Sequence, residues 1–208
     1  MARPVTVKFT QNLSYCSGVL IADDLAPATA RASDLVLTCG HFFRGRRVED
    51  GIRAASGPMF TSDVIDWASI PGTDLAVVRL ADATPPRDLP GLAHRRPRPF
   101  SACATHGFGG ARRTAVEKVG RVMGWLPFSM SRDLGTVVAH PALTYSAPKV
   151  VKGDSGAPVI VDGEVAAIQS LVLDPLGRNL GVATVGMVGP MRRHIAAAVQ
   201  ILRARQRV

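Results

Sequence analysis

Three short segments carry residue types that together could do nucleophilic chemistry. The first is Gly153-Asp154-Ser155-Gly156-Ala157-Pro158, which runs directly into Val159-Ile160-Val161. A serine hydroxyl is a weak nucleophile and needs a base within hydrogen-bond reach. It also needs N–H donors aimed at the oxyanion that forms when it attacks a carbonyl. Glycines on both sides of Ser155 let the backbone turn tightly, expose Oγ and bring the Gly153 and Ser155 N–H groups to one small space. Taken alone, the four residues Gly153 to Gly156 would equally suit an ordinary turn before a strand.

The second segment, Leu35-Val36-Leu37-Thr38-Cys39-Gly40-His41, is an apolar run that ends in small residues and then a histidine. A base set at the end of a strand is held rigidly, and Cys39-Gly40 leaves room around the imidazole. His94, His106, His140 and His194 lack such a setting and are expected on the surface. The third segment is Thr73-Asp74-Leu75-Ala76-Val77-Val78-Arg79-Leu80. A carboxylate at the start of an apolar strand can be buried beside an imidazole, where it fixes the tautomer and stabilises the imidazolium. Asp63 and Asp66 lie nearby, and the apolar strand that follows is what separates Asp74 from them.

The elements that must position these residues read as strands. Short apolar runs at 5–9, 18–22, 35–38, 75–80, 157–161, 165–173 and 182–188 alternate with clusters of Gly, Pro, Asp and Asn, the pattern of an all-β chain. Helical periodicity is clear only at the end, where Ile195, Val199 and Leu202 recur after Pro190. Pro85, Pro86, Pro90, Pro97 and Pro99 punctuate the middle, and neither a strand nor a helix is expected to run through them. The expected organisation is an N-terminal β lobe over 1–84 carrying His41 and Asp74, a Pro-rich connector over 85–99, a second β lobe over 100–189 carrying Ser155, and a helix over 190–208.

Composition sets limits on the function. Hydrophobic residues make up 47% of the 208-residue chain and aromatics only 5%, so the core must be mostly Val, Ala, Leu and Ile. No run approaches the roughly 18 apolar residues of a membrane span, and the first residues lack the apolar stretch of a signal peptide. Cys16, Cys39 and Cys103 form no CxxC pair and have no histidine at zinc spacing, so neither metal nor cofactor is expected. The formal charge of +9 is spread over separate Arg pairs with no interleaved aromatics, which disfavours nucleic acid as a partner.

In the order His41, Asp74, Ser155, the three motifs resemble those of the chymotrypsin (trypsin-like) serine proteases. Further segments carry the likeness along the chain. Cys16-Ser17-Gly18-Val19-Leu20-Ile21 is similar to the family's strand before the histidine, and Cys103-x-x-x-Gly107-Phe108-Gly109 to the strand that opens its second barrel. Ser170-Leu171-Val172 falls where the family pairs with substrate backbone, and Gly181-Val182-Ala183-Thr184 lies where it backs the specificity pocket. The resemblance implies two six-stranded antiparallel β-barrels with a C-terminal α-helix, and a serine endopeptidase acting through an acyl-enzyme. The Gly153 and Ser155 N–H groups would form its oxyanion hole. The substrate would be a protein or peptide, bound at Lys149, Ser170, Leu171, Val172 and Gly181.

Three departures sharpen the expectation. Cys16 and Cys103 stand where secreted relatives have half-cystines, but their usual partners fall at Phe42 and near Val161, so neither family bridge can form; a shifted Cys16–Cys39 bond stays open. This points to a reducing, cytoplasmic setting, with a secreted form that has lost a leader as the alternative. No activation-cleavage motif precedes the first barrel, so Asp154 must find a partner other than a new N-terminus. Control by a partner domain, an allosteric signal or narrow specificity is therefore expected. Finally, Lys149 stands six residues before Ser155, where relatives place the pocket floor, and would suit an acidic side chain. Val172 in place of the usual glycine would favour small ones. A catalytically silent binding module is the alternative function. An esterase would carry a Gly-x-Ser-x-Gly elbow on an α/β sheet, which is not the pattern here.

Overall fold

A computed structural model describes residues 5–206, apart from the side chain of Leu176. Residues 1–4 and 207–208, the ends of the expected first lobe and helix, lie outside the described residues. The first half contains strands β1 (Thr6–Gln11), β2 (Ser14–Leu20), β3 (Ala28–Arg31), β4 (Leu35–Thr38), β5 (Arg53–Ala55), β6 (Thr61–Ser69), β7 (Ala76–Leu80) and β8 (Arg87–Leu89). The second contains β9 (Ala102–Gly107), β10 (Val116–Trp125), β11 (Phe128–Met130), β12 (Val137–Ala139), β13 (Pro141–Ala147), β14 (Pro158–Val161), β15 (Glu164–Val172) and β16 (Val182–Met187). Helix α1 (Val188–Arg205) follows.

The strands close into two six-stranded barrels, in the orders β1-β2-β4-β7-β6-β5 and β10-β13-β16-β15-β14-β9. All their pairings are antiparallel, as in β4–β7, where Leu37 faces Val77 and Thr38 faces Ala76. This is the chymotrypsin-like double barrel that the resemblance implied.

Burial explains why some strands read as unbroken apolar runs rather than alternating ones. Val36 and Val78 point into the first barrel with Val7, Phe9 and Leu20. Their neighbours Leu35, Leu37 and Val77 point outward, into a second core shared with Ile168 of β15 and with Ile195, Val199 and Leu202 of α1. A strand buried on both faces has no polar side to alternate with. Helix α1 thus packs on β6 and β7 as well as β15, tying the first barrel to the second. At its last turn Arg203 forks onto Asp23 and Asp34, with N–O distances of 2.6–2.8 Å.

Two expectations need correction. The Pro-rich connector holds a strand after all: β8 fits between Pro86 and Pro90 and pairs with β3. Three residues at a sheet edge need no donor from either proline, which is why the prolines permit it. His106 is not on the surface; it lies on β9, buried, with Nε2 3.4 Å from Glu117.

Candidate active site

His41 and Asp74 leave neighbouring strands of the first barrel. Strand β4 ends at Thr38, whose hydroxyl donates to the Ser17 carbonyl at 2.6 Å. The chain then turns sharply through Gly40, where the Phe43 N–H donates to the Gly40 carbonyl at 3.0 Å. Phe42, Phe43 and Phe9 pack edge to face below this turn, with centroids 5.2–5.4 Å apart, and fix its position. Asp74 sits in the tight turn before β7, with its side chain wholly buried.

The Asp74 carboxylate is fully engaged. One oxygen accepts the His41 backbone N–H at 2.7 Å, and the other lies 2.8 Å from His41 Nδ1. The second oxygen also accepts the Ser170 hydroxyl. Ser170 owes this aim to a bulge: β15 pairs Gln169 with Val185 and Leu171 with Thr184, leaving Ser170 as the extra residue. The Ser170 carbonyl in turn accepts the Ser155 hydroxyl at 3.3 Å. Ser170 therefore touches both the acid and the nucleophile of the candidate triad.

His41 Nε2 makes its polar contact with Cys39 Sγ at 3.8 Å, and among the described residues no hydrogen bond joins it to Ser155 Oγ. Burial disfavours the imidazolium. The charge on Cys39 and the hydrogen bond to Asp74 outweigh that and push the His41 pKa up to about 11. Burial likewise pushes the Cys39 thiol up, but the neighbouring Cys16 and the His41 imidazolium bring it down to about 6.

Ser155 lies in a turn built around Asp154. Gly153 and Gly156 hold φ of +98° and +83°, conformations that L side chains rarely adopt. A Cβ on Gly153 would also collide with the Tyr15 ring, and one on Gly156 with the Ser17 carbonyl. The Ser17 N–H donates to the Ser155 carbonyl at 2.7 Å, and the Ser17 hydroxyl donates to the Gly153 carbonyl at 2.8 Å. Strand β2 of the first barrel thus holds the serine turn of the second. Among the described residues, the Gly153 and Ser155 N–H groups donate to no protein acceptor.

The partner of Asp154 is Lys118. Its ammonium lies 2.8 Å from Asp154 Oδ1, with the two side chains 6% and 0% exposed. The Gly109 and Val151 N–H groups complete the carboxylate's shell at 2.9 and 2.8 Å. Gly107 and Gly109 lie so close to Asp154 that a Cβ on either would strike its carboxylate. Gly107-Phe108-Gly109 is glycine-rich because a buried carboxylate occupies the space. Sequence reasoning missed Lys118, although a signal existed. On β10 it shares the inward face with Gly120 and Val122, and a lysine on the inward face of a strand must have a buried counter-charge.

The residues expected to bind substrate fall into two groups. Leu171 and Val172 lie half-buried at the end of β15 beside Ser170. Lys149 and Gly181 meet, with the lysine stem packed against the glycine. The Lys149 ammonium, however, turns outward to donate to the Asn179 carbonyl at 2.8 Å. It also borders a groove of about 500 Å³ that Arg112, Arg113 and Lys118 share.

A family model for the trypsin-like peptidase domain matches residues 16–168. The chain belongs to this family. Its members are serine proteases, and the matched span holds His41, Asp74 and Ser155. Solved structures agree on the fold. The active form of the Rv3671c protease from M. tuberculosis is 17% identical with a TM-score of 0.72, over 94% of this chain and 81% of that one. Kallikrein-related peptidase 10 is 19% identical with a TM-score of 0.70, over 98% and 97%. The serine endoprotease from Yersinia pestis is 18% identical with a TM-score of 0.68, over 96% and 64%. No curated protein sequence matches the chain. Among the described residues of this trypsin-like peptidase, no helix is long and apolar enough to cross a membrane, and no cluster of His, Cys, Asp and Glu could hold a metal ion.

Proposed function

We propose that the chain is a serine endopeptidase that cleaves peptide bonds through an acyl-enzyme, with Ser155 as nucleophile, His41 as base and Asp74 orienting the base. The observation that carries this is the double clamp of Asp74 on His41. Two hydrogen bonds accepted by a fully buried carboxylate fix both the backbone and the ring of the histidine. A carboxylate on Nδ1 puts the proton there and leaves Nε2 as the basic nitrogen. On substrate binding, rotation of Ser155 Oγ from the Ser170 carbonyl to Nε2 lets the imidazole take its proton as Oγ attacks. The Gly153 and Ser155 N–H groups, free of protein acceptors, would stabilise the oxyanion. The imidazolium then protonates the leaving amine, and water repeats the sequence on the acyl-enzyme.

The internal Lys118–Asp154 pair supports a serine turn that forms without cleavage of a propeptide. The Lys149 ammonium is committed to the Asn179 carbonyl, so an acidic substrate side chain would have to displace that bond. Three free, buried thiols suit a reducing compartment, where activity calls for restraint by a regulatory partner or signal.

A silent or partner-activated binding module is the second reading. It draws on the resting position of Ser155 Oγ, which bonds Ser170 rather than His41. A fluorophosphonate probe separates the two. Labelling that vanishes in Ser155→Ala, together with cleavage of a peptide library, supports the protease. Absence of Ser155-dependent labelling in every redox state and pH supports the binding module.

A further inference from the structure

Cys16 and Cys39 lie behind the candidate base. Strands β2 and β4 pair Gly18 with Thr38, and the next position in register sets Ser17 opposite Cys39, one residue from Cys16. The strand ends at Thr38, the alternation breaks, and Cys39 turns into the same core cluster as Cys16. Cys16 Sγ lies 3.9 Å from Oγ1 of Thr38, the residue before Cys39, and Cys39 Sγ lies 3.8 Å from His41 Nε2. Both are free and buried. A protease needs nothing at this place but packing, and an apolar pair would supply it.

We propose that Cys16 and Cys39 are a redox modification site for this active site. With both reduced, Cys39 holds Nε2 of His41 away from Ser155; oxidation of the pair to a disulfide releases the imidazole. The proposal rests on the serine-protease reading of His41 and Ser155.

The chemistry balances with hydrogen peroxide as oxidant. The Cys39 thiolate attacks one peroxide oxygen, the O–O bond breaks, and the departing hydroxide takes the proton from the His41 imidazolium. Water, a neutral imidazole and the Cys39 sulfenic acid result. Cys16 sulfur then attacks the sulfenic sulfur, the S–O bond breaks, and hydroxide leaves with the Cys16 proton as a second water. Two electrons pass from the two sulfurs to the peroxide. The charged and titratable groups that face the pair are His41, Asp74 and Arg46. The lowered thiol of Cys39 makes it the attacking sulfur, while burial holds Cys16 well above the ordinary range as the resolving thiol. His41 is 29% exposed, which gives a small oxidant a way in along the ring.

The test treats the full chain with dithiothreitol or with hydrogen peroxide. It maps disulfides by non-reducing peptide mass spectrometry, follows the His41 titration by NMR and measures the rate of Ser155-dependent fluorophosphonate labelling. Oxidation should give a Cys16–Cys39 bond and move the His41 titration down. Labelling at neutral pH should rise at least about tenfold, since each unit of downward shift raises the neutral fraction about tenfold below the midpoint. Dithiothreitol should reverse all three. Cys39→Ala should label at the oxidised rate without peroxide, Cys16→Ala should form no intramolecular disulfide with peroxide, and Cys103→Ser should respond like the parent. Failure of the Cys16–Cys39 bond to form in the native protein would overturn the proposal, as would an unmoved His41 titration once it has formed. If the bond forms and the titration moves while Ser155 never labels, the redox site stands and the protease reading falls, along with the link to activity.

Discussion

The ammonium of Lys118 lies 2.8 Å from the carboxylate of Asp154, and both side chains are almost completely removed from solvent. Strand β10 thereby supplies from within the second barrel the positive charge around which the serine turn is built. Removing one partner of a buried ion pair leaves an uncompensated charge, which costs about 3–5 kcal/mol. Lys118→Met should therefore lower stability by that amount in urea unfolding and reduce Ser155 labelling steeply. Lys118→Met combined with Asp154→Asn should regain part of the stability and little of the activity. Unaltered unfolding in Lys118→Met would mean that the turn does not depend on the pair.

Gly109 tests the same turn from the other side. A methyl group there meets the Asp154 carboxylate, which Lys118, Gly109 and Val151 already hold in place. Overpacking at such a site costs about 1–3 kcal/mol. Gly109→Ala should destabilise by that much in thermal or urea unfolding and slow labelling. Gly110, whose Cβ position is open, has a positive φ and is a poorer control than Gly124, where a Cβ meets nothing within 4 Å.

Asp74→Asn should lower turnover by roughly 10⁴-fold, because an amide that donates to Nδ1 leaves the proton on Nε2. Ser170→Ala should do less. Asp74 keeps both bonds to His41, and the Ser170 carbonyl remains for Ser155. One hydrogen bond to a charged group is worth about 1.5–3 kcal/mol, so a fall of about 10- to 100-fold is expected. Steady-state kinetics on the best peptide from the library will check both, and an equal loss in the two variants would assign Ser170 to the reaction itself.

The pH profile of the reduced enzyme follows from His41. In the proposed mechanism only the neutral imidazole accepts the Ser155 proton, and burial, which lowers the His41 pKa, is outweighed by Cys39 and Asp74, which raise it to about 11. Activity should therefore climb with pH well beyond the ordinary histidine range, with the acid limb displaced upward. An acid limb in reduced enzyme near 6.5 would show that Cys39 does not hold the proton on His41.

Much of the candidate site is legible in the sequence because local constraints write it there. An apolar strand that ends in Cys39-Gly40-His41, an aspartate opening another at Asp74, and glycines flanking Asp154-Ser155 each follow from the turn that the backbone must make. The Pro-rich segment was legible only in part. Proline forbids a central strand but permits the three-residue edge strand of β8, and only its pairing with β3 decides between them.

The sequence by itself determined the order of the motifs, the all-β architecture and the C-terminal helix, since each rests on periodicity or turn chemistry within a few residues. Only the tertiary structure decided which charges and thiols meet. Lys118 and Asp154 are 36 positions apart, Ser170 and Asp74 are 96 apart, and Cys16 shares a core cluster with Cys39 across two strands. Barrel closure, strand register and the bulge at Ser170 bring these groups together, and each depends on packing between distant segments that no local pattern encodes.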